Sequence, residues 1–352
     1  MKELSPEQVQ QLAQELSLPC RTDLTVTLRP EDGEVSPELA REIGTIVRAL
    51  LPNVLGDLSV KVVSGGITNA LYYVTGSNTE CALRVYGPDT HRVIDREREL
   101  RLSVYLSAHG FGKAILGLFG GGRLEAWTEG APLKPEDMMS AEVSPLVARA
   151  MRRFHTLPLP QGLEHRDVFD TMTLWLKQVE SDAEIDALAI AQRLRDTRKM
   201  CASVNSPLVL AHNDLLSGNI LRAGDRVNFI DLEYGGINAR AFDVANFFCE
   251  SCGFECDWSQ FPTYEAQLQF ARNYFGSECS DEQAETLVKE LQPFILASHL
   301  HWSIWALVQA RFSPIDFDYR GYGLLRLAAF DQMRAHCTRF LSAGQQHDSS
   351  SD

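Results

Sequence analysis

Basic residues are scarce in this sequence relative to acidic ones. The 352 residues include 33 Lys and Arg against 47 Asp and Glu, which gives a formal net charge of −14. Binding to a phosphate backbone needs a clustered basic face, and the sequence shows none, so nucleic acid is a poor candidate partner. An acidic surface tolerates a cationic substrate.

Long apolar runs are also missing. Hydrophobic residues make up 45% of the chain, which suffices for a full core, but no apolar run is long enough to cross a bilayer. The first residues, MKELSPEQVQQLAQELS, have neither the apolar centre nor the cleavage site of a signal peptide, and they indicate a short amphipathic helix. We therefore expect a soluble, cytoplasmic protein without membrane insertion.

The eight cysteines follow no regular spacing, so they do not indicate a disulfide framework. Cys249, Cys252 and Cys256 are close enough in sequence to suggest zinc. No second Cys or His pair at the spacing of a zinc finger follows them. We therefore expect ordinary reduced thiols at these positions.

The chain is longer than a typical domain of about 150 residues, so two lobes or one large domain are expected. The stretches LSVKVVS, LYYVTG and CALRVYG predict strands, with GGITN turning between the first two, and VIDRERELRLSVYLSAHG predicts a helix. After a further hairpin the composition becomes helical. We predict an α+β fold with a small N-lobe over 1–130, built from an antiparallel sheet and one main helix. A larger, mostly helical C-lobe over 131–342 and a disordered tail over 343–352 follow.

A polar loop lies between apolar runs in LVLAHNDLLSGNILR, and RVNFIDLEYGG follows closely. Phosphoryl transfer needs a carboxylate that orients the attacking hydroxyl and accepts its proton, and oxygen ligands that hold magnesium. Asp214, Asn219 and Asp231 supply these groups, in the order of the kinase motifs H-R-D-x-x-x-x-N and D-F-G. The alternative is that Asp214 and Asn219 only make turn hydrogen bonds. The accompanying Asp231 and an upstream glycine loop favour phosphoryl transfer.

The predicted N-lobe contains a candidate nucleotide clamp. SGGITN is not a G-x-G-x-x-G motif, and a lone Gly-Gly turn is more often a hairpin. A strand with Arg84 follows it, where kinases have their phosphate-pairing lysine, so we interpret it as a loop over the phosphates. The backbone N–H groups that would meet the phosphates belong to Gly65, Gly66, Thr68 and Asn69. We choose Glu99 over Glu97 as the carboxylate that holds Arg84; the alternative is a solvated helix face.

Two features argue against a protein kinase. No arginine follows His212, so the sequence offers no contact for a phosphorylated activation loop, and only LEYGGINARAF separates Asp231 from Asp243. This leaves no room for a segment that docks a peptide, and we expect a small substrate with a hydroxyl group. We also expect Asp243 to tether the catalytic loop and His212 to brace it.

The sequence resembles the choline/ethanolamine kinases, a family of small-molecule phosphotransferases. The matching stretches are GGITN, LRVYG, LVLAHNDLLSGNIL, FIDLEYGGINARAFDVANFFCE and LASHLHWSIWALVQARFSPIDFDYRGYG. The resemblance implies a bilobal protein-kinase-like fold, ATP with magnesium as the phosphoryl donor, and an amino-alcohol acceptor. It implies that Asp214 is the catalytic base, that Asn219 and Asp231 bind magnesium, and that Arg84 lies on the nucleotide phosphates. A homodimer is left open.

The resemblance also implies an amino-alcohol pocket. Its walls would be formed by Tyr234, Glu250, Trp302, Trp305, Phe317, Tyr319 and Tyr322. Residue chemistry supports this independently, because Trp302 and Trp305 share one face of a helix and an aromatic face attracts a cation by about 0.5–2 kcal/mol. The alternative is a core stripe of aromatic residues.

Among the family, the sequence is most similar to ethanolamine kinases. Choline kinases carry further aromatics after the matching glutamate, whereas the segment after Glu250, SCGFECDWSQFPT, is small and acidic where those aromatics would be. The stretches HNDLL and FDYRGY also favour ethanolamine. The positions that depart from the ethanolamine pattern are Leu232, Ile237, Phe247 and Cys249. We expect ATP-dependent phosphorylation of ethanolamine, the first step of the CDP-ethanolamine route to phosphatidylethanolamine. The alternatives are a choline or dual kinase, an antibiotic phosphotransferase and a pseudokinase.

Overall fold

The computed structural model describes residues 3–30, 33–63, 69–182, 185–313 and 315–348. The chain divides into two compact units, Met1–Glu129 and Gly130–Asp352, so the boundary lies next to the one between 130 and 131 that the composition indicates. In the described ranges, no helix has both the length and the apolar character required to span a membrane. All eight cysteines are free thiols.

The described residues of the first unit form a six-stranded sheet. Its strands are β1 (Cys20–Thr25), β2 (Ser59–Val63), β3 (Asn69–Gly76), β4 (Thr79–Tyr86), β5 (Ile115–Gly120) and β6 (Gly122–Ala126). Their order is β1-β5-β6-β4-β3-β2. The predicted meander appears as antiparallel β2, β3 and β4. The edge strand β1 pairs with β5 in parallel, and the sequence did not predict it because CRTDLT has no apolar run.

The helices described in this unit are α1 (Pro6–Glu15), α2 (Pro37–Leu50) and α3 (Arg96–Ala108). The prediction of one main helix in this unit is therefore incomplete, since α2 adds a second that packs on the sheet. Its buried apolar residues are Leu39, Ile43, Ile46, Val47 and Leu50, and they join Tyr72, Val74 and Leu83 of the sheet in one cluster. Burial of each such side chain contributes about 1.5–3 kcal/mol, so α2 is a main source of stability for this unit.

The second unit is mostly helical. Its described helices are α4 (Pro135–Met138), α5 (Ser144–His155), α6 (Val168–Val179), α7 (Ala187–Ala202), α8 (Arg240–Glu250), α9 (Tyr264–Phe275), α10 (Asp281–Phe312) and α11 (Tyr319–Asp348). The helix α10 contacts α6, α7, α8, α9 and α11, and from Glu290 to Gln309 all of its side chains are buried. It is therefore the centre of this unit's core.

Short strands position the loops of this unit. They are β7 (Ala131–Pro132), β8 (Leu208–Ala211), β9 (Ile220–Ala223), β10 (Arg226–Phe229) and β11 (Gly236–Ala239). One sheet has the order β10-β9-β7, and a second pairs β11 with β8. Residues 212–219 consequently run from β8 to β9, and residues 230–235 run from β10 to β11. Because β8 and β11 are paired, both loops start or end at the same small sheet.

The C-terminal helix continues further than the sequence predicts. We expected a disordered tail over 343–352, but α11 extends to Asp348. The polar composition suggested disorder, yet SAGQQHD contains no proline, and Ala and Gln favour the helical state. Residues 349–352 lie outside the described ranges.

We predict that Gly122→Ala destabilises the protein far more than Gly121→Ala. A Cβ atom at Gly122 would lie 2.2 Å from the carbonyl oxygen of Arg84 and 2.3 Å from the ring of Phe119, so a strand must shift, at a cost near the upper end of about 1–3 kcal/mol. At Gly121 the described residues offer no contact within 4 Å, and the positive φ alone costs about 1 kcal/mol. Urea unfolding of both variants measures the difference. Equal losses of stability would contradict this packing argument.

Candidate active site

The loop between β8 and β9 brings two predicted site residues together. The Nδ2 atom of Asn219 donates to the main-chain oxygen of Asp214 at 2.8 Å and to its Oδ2 atom at 3.0 Å. Asn219 ends a short 3₁₀ turn, Ser217–Asn219, that leads into β9. Both side chains are buried. The loop therefore presents a carboxylate and an amide side by side in a fixed arrangement.

A buried carboxylate in α8 holds this loop. Asp243 accepts hydrogen bonds from the main-chain N–H groups of His212 at 2.9 Å and Asn213 at 2.6 Å. The Nε2 atom of His155, in α5, lies 2.9 Å from the Asp243 Oδ2 atom. Burial alone would raise the pKa of Asp243, but His155 and the His212 contacts hold it below its ordinary value. The predicted tether is confirmed, and His155 is a supporting residue that sequence reasoning missed.

His212 joins the catalytic loop to the segment that carries Asp231. Its Nε2 atom donates to the carbonyl oxygen of Ile230 at 2.9 Å, and the Ile230 N–H donates to the carbonyl oxygen of Asn219 at 2.9 Å. Burial lowers the pKa of His212, so the ring is neutral at pH 7. Asp231 follows with a φ of +63°, a conformation that Asp tolerates better than most residues. The expected role of His212 as a brace is confirmed.

Asn213 fixes the second loop against the first. It has a φ of +67°, and its Nδ2 atom donates to the carbonyl oxygen of Tyr234 at 2.9 Å. Its Oδ1 atom accepts from the Nδ2 atom of Asn238 at 2.9 Å. The backbone of Tyr234, a predicted pocket residue, is therefore positioned directly by the catalytic loop.

Carboxylates crowd around Asp214. Burial raises its pKa well above the ordinary value, and the charges of Glu250, Asp231 and Glu233 raise it further, while the hydrogen bond from Asn219 opposes them. The Oδ1 atom of Asp214 is buried and has no hydrogen-bond partner among the described residues. The ionised state of Asp214 is therefore disfavoured in the protein alone.

The donor set at this point fits magnesium. Magnesium binds hard oxygen ligands, typically one or two carboxylates with further oxygens. Asp231 offers a carboxylate, and Asn219 keeps its Oδ1 oxygen available because its Nδ2 atom is used on Asp214. The crowding of negative charge around Asp214 is the surrounding that a divalent cation relieves. Asn219 and Asp231 are thus suited to hold the implied metal.

The predicted pocket aromatics form a continuous series of ring contacts. Ring centroids lie 5.4 Å apart for Tyr234–Trp302 and for Trp302–Trp305, 5.7 Å apart for Trp305–Tyr319 and 4.8 Å apart for Phe317–Tyr319. The indole N–H of Trp305 donates to the hydroxyl of Tyr234 at 2.7 Å. Such edge-to-face packing fixes ring orientation. We call these five residues, together with Tyr322, the aromatic wall.

Phe254 extends the aromatic wall. Its ring centroid lies 5.6 Å from those of Phe317 and Tyr322. Phe254 belongs to the segment after Glu250 that we expected to be small and acidic where choline kinases have aromatics. That expectation is wrong at this position, because the chain turns directly after α8 and returns the Phe254 ring to the wall.

Glu250 ends α8 and is 6% exposed. Its Oε1 atom accepts a hydrogen bond from Nη1 of Arg326 at 2.9 Å. Burial raises the pKa of Tyr322, and Arg326 opposes this rise, while the charges of Glu250 and Asp214 add to it. The carboxylates and the wall thus act on one another electrostatically. Sequence reasoning missed Arg326, since a lone arginine in a helix usually lies on a solvated face.

In the first unit, Arg84 belongs to a buried group of alternating charges. Its Nε atom donates to Oε1 of Glu125 at 3.2 Å, and Glu125 also accepts from Nε of Arg123 at 2.6 Å. Glu99 accepts from Nη1 of Arg96 at 2.7 Å and from Nη1 of Arg123 at 2.5 Å. Burial would raise the pKa of both carboxyls, but the arginines lower each to about 2. All five side chains are therefore ionised at neutral pH.

The choice of Glu99 as the carboxylate that holds Arg84 needs correction. The hydrogen-bonding carboxylate that the structure assigns to Arg84 is Glu125, while the Arg84 charge lowers the pKa of Glu99 in the same group. Glu97 lies on a solvated helix face, with 49% of its side chain exposed. Strand register carried the missed signal. Arg84 in β4 stands opposite Arg123 in β6, so two cations meet, and Glu125 is on the same strand face as Arg123.

Asn69 opens β3 and is buried. Its Oδ1 atom accepts from Nη2 of Arg96 at 2.9 Å, so it is attached to the same charged group. Gly65, Gly66 and Thr68, the other residues of the predicted phosphate loop, lie outside the described residues. The structure buries the three closely spaced cysteines, Cys249, Cys252 and Cys256. In the described chain no group of potential metal ligands includes them.

Comparison with known families decides the relationship. The sequence matches the family described as choline/ethanolamine kinase over residues 60–331. The chain belongs to this family. Its sequence is 36% identical to a probable ethanolamine kinase of Arabidopsis thaliana over 78% of this chain and 79% of that protein. It is 31% identical to a choline/ethanolamine kinase of Rattus norvegicus over 81% of this chain and 83% of that protein.

Solved structures agree with the family. An ethanolamine kinase from Plasmodium vivax is similar with a TM-score of 0.78 and 28% sequence identity, over 93% of this chain and 94% of that one. The predicted α+β fold of the protein-kinase-like type is therefore confirmed, and this member of the family follows it in both of its units.

We predict that Asp214→Asn stabilises the metal-free protein at neutral pH. The pKa of Asp214 is raised by folding, so its favourable contribution is present below the unfolded value of about 4 and is lost as the pH rises through the folded value. Asparagine has no charge to bury. Urea unfolding with a chelator should show a higher midpoint for the variant at pH 7, and a smaller difference near pH 4. A less stable variant at pH 7 would contradict the crowding argument.

Proposed function

We propose that this chain is an ethanolamine kinase, which transfers the γ-phosphoryl group of ATP to the hydroxyl of ethanolamine. Membership of a kinase family implies ATP as the donor, and relatives named ethanolamine kinases match most of the chain. The observation that carries the proposal is the braced pair of Asp214 and Asn219 in electrostatic contact with Glu250. A kinase for an amino alcohol needs this combination of a base and a counter-charge for the ammonium.

The catalytic roles follow from the loop. Asp214 orients the acceptor hydroxyl and takes its proton, and Asp243 and His212 hold the loop so that this carboxylate keeps its direction. Asn219 and Asp231 hold magnesium. Magnesium, when bound, neutralises charge on the phosphates and on the carboxylates around Asp214. A cation held there would favour the ionised form of Asp214, which is the form that can accept a proton.

The first unit supplies the nucleotide contacts in this proposal. Arg84 pairs with the phosphates, and Glu99 and Glu125 keep the surrounding guanidinium groups in place. The backbone around Gly65, Gly66, Thr68 and Asn69 covers the phosphates, as N–H groups of a glycine-rich loop can. For Gly65, Gly66 and Thr68, which lie outside the described residues, this assignment rests on the sequence pattern.

The acceptor site uses two kinds of attraction. Glu250 provides a carboxylate for the ammonium group, and the aromatic wall provides ring faces that attract a cation. A primary ammonium brings three N–H donors that need acceptors. We therefore propose ethanolamine as the preferred substrate. A choline kinase or a dual kinase is the second candidate, and Phe254 favours it, because this ring adds to the aromatic surface that a quaternary ammonium requires.

Two further properties remain predictions. We expect a cytoplasmic location from the sequence, and a homodimer stays open.

We predict that the purified protein releases ADP in the presence of ATP, magnesium and ethanolamine, with a higher kcat/KM for ethanolamine than for choline. The reason is that a carboxylate accepts N–H donors that choline lacks. A coupled ADP assay with ethanolamine, choline, an aminoglycoside and buffer alone measures this. Equal or better efficiency with choline would favour the second candidate, and no release with either amino alcohol would favour a pseudokinase.

We predict that Asp214→Ala lowers kcat for phosphoryl transfer by about 10²-fold or more, since general base catalysis contributes about 10²–10⁴-fold. Binding of ATP should persist, because Asp214 is not a nucleotide contact in this proposal. The ADP assay measures kcat, and a thermal shift with ATP measures nucleotide binding. Arg240→Met, in a part-buried pair with Glu290 that includes none of the proposed site residues, is the control for a general loss of stability. Near-normal turnover in Asp214→Ala would show that the loop has another role.

A further inference from the structure

Arg326 is a fully enclosed charged residue of the second unit. Its exposed fraction is 0%, although it lies in α11 between residues that are largely on the surface. Its Nη1 atom donates to Oε1 of Glu250 at 2.9 Å and to the hydroxyl of Tyr322 at 3.1 Å. The guanidinium carbon lies 5.8 Å from the ring centroids of both Trp258 and Tyr322. A buried cation of this kind is retained only with a close counter-charge.

A second arm of the same guanidinium reaches the aromatic wall. Nη2 of Arg326 donates to the hydroxyl oxygen of Ser298 at 2.9 Å, and the Ser298 hydroxyl donates to Oδ1 of Asn246 at 2.9 Å. That same amide oxygen accepts the indole N–H of Trp302 at 2.6 Å. One buried cation is thus connected by hydrogen bonds to the carboxylate on one side and to a ring of the wall on the other.

The hydrogen bond that the described residues make to Glu250 uses one of its two carboxylate oxygens. Among the described residues its hydrogen bond is the one from Arg326 to Oε1, so Oε2 keeps an open acceptor position. Arg326 also balances the charge of Glu250, so this buried ion pair has no net charge of its own. A cation that approaches this pair is therefore attracted less by its net charge than by a hydrogen bond to Oε2 of Glu250. An ammonium with an N–H donor can make that bond, whereas a quaternary ammonium cannot.

We propose that Arg326 is a positioning residue that sets the specificity of the acceptor site for ammonium groups with at least one N–H donor. It directs the Oε2 atom of Glu250 toward the ammonium, and it orients Trp302 through Ser298 and Asn246. This inference rests on the proposed function. It differs from an assignment of Glu250 alone, because it makes the preference between primary and quaternary ammonium depend on a residue that does not touch the substrate.

The test compares four variants with the wild type: Arg326→Met, Arg326→Lys, Glu250→Gln and the double variant Arg326→Met/Glu250→Gln. For each, kcat and KM are measured with ethanolamine, N,N-dimethylethanolamine, choline and ATP, and the unfolding temperature is recorded. Arg240→Met is the matched control. Arg240 donates to both Glu290 oxygens, at 2.9 and 2.8 Å, so the control also breaks an ion pair, here a part-buried one that has no hydrogen bond to the aromatic wall.

We expect Arg326→Met to raise KM for ethanolamine and dimethylethanolamine by about tenfold or more, with a smaller change for choline and an unchanged KM for ATP. The ratio of kcat/KM for ethanolamine to that for choline should fall by about tenfold. Arg326→Lys should recover part of this ratio, because lysine keeps the charge but not the two-armed geometry. Arg240→Met should lower the unfolding temperature and leave the ratio at the wild-type value.

The double variant keeps the proposal testable if Arg326→Met folds poorly. Removing both charges leaves no unpaired buried ion, so its unfolding temperature should recover toward that of the wild type, while its substrate ratio should equal that of Glu250→Gln. An unchanged ratio in Arg326→Met or in the folded double variant would overturn the inference. If the wild type prefers ethanolamine and these ratios do not move, the proposed function stands and only the role of Arg326 fails. A wild type inactive on ethanolamine would refute the proposed function itself.

Discussion

The loop over residues 212–219 depends on the hydrogen bonds that the carboxylate of Asp243 accepts from it. This carboxylate receives two main-chain N–H groups from consecutive residues, and hydrogen bonds to a charged acceptor contribute about 1.5–3 kcal/mol each. Asn213, one of these residues, has a left-handed backbone conformation that the loop keeps because its N–H is held. Hydrogen bonds connect Asn213 to the main chain of Tyr234, and the Tyr234 hydroxyl to the indole of Trp305. The loop that carries Asp214 and the aromatic wall therefore share one scaffold.

The buried charges of the two units have different neighbours, and the pKa values of Glu99 and Asp214 shift in opposite directions. In the first unit, three arginines and two glutamates alternate, and the pKa of each glutamate is lowered to about 2. Around Asp214 the neighbours are carboxylates, and its pKa is raised. The first arrangement is satisfied by protein groups alone. The second concentrates negative charge around one buried carboxylate, and a bound cation would offset that charge.

Residues defined by local spacing could be predicted from the sequence. Asp214, Asn219 and Asp231 follow a pattern of short offsets between apolar strands, and the Trp302/Trp305 pair follows helical spacing. These signals suffice because their geometry is set within one turn or one loop. The meander of β2, β3 and β4 was readable for the same reason, since alternation and turn residues are local.

Residues defined by tertiary contacts could not be predicted. Glu125 becomes the partner of Arg84 only through strand register, and His155 meets Asp243 from a helix far away in sequence. Arg326 looks like a solvated residue until α8 and α10 close around it. Phe254 looks like part of a small, acidic loop until the turn after α8 returns it to the wall. Each depends on which element packs beside it, and single-sequence patterns do not contain that information.

The burial of residues 290–309 of α10 has a consequence for where changes in acceptor preference could arise among relatives. Ser298, Trp302 and Trp305 all lie in this helix, where a change of side-chain volume disturbs several neighbouring helices at once. Phe254 is 40% exposed and lies in a turn, where substitutions are tolerated. We therefore expect substitutions that change the size of the accepted substrate to accumulate in the turn after α8, while the buried residues of α10 change little.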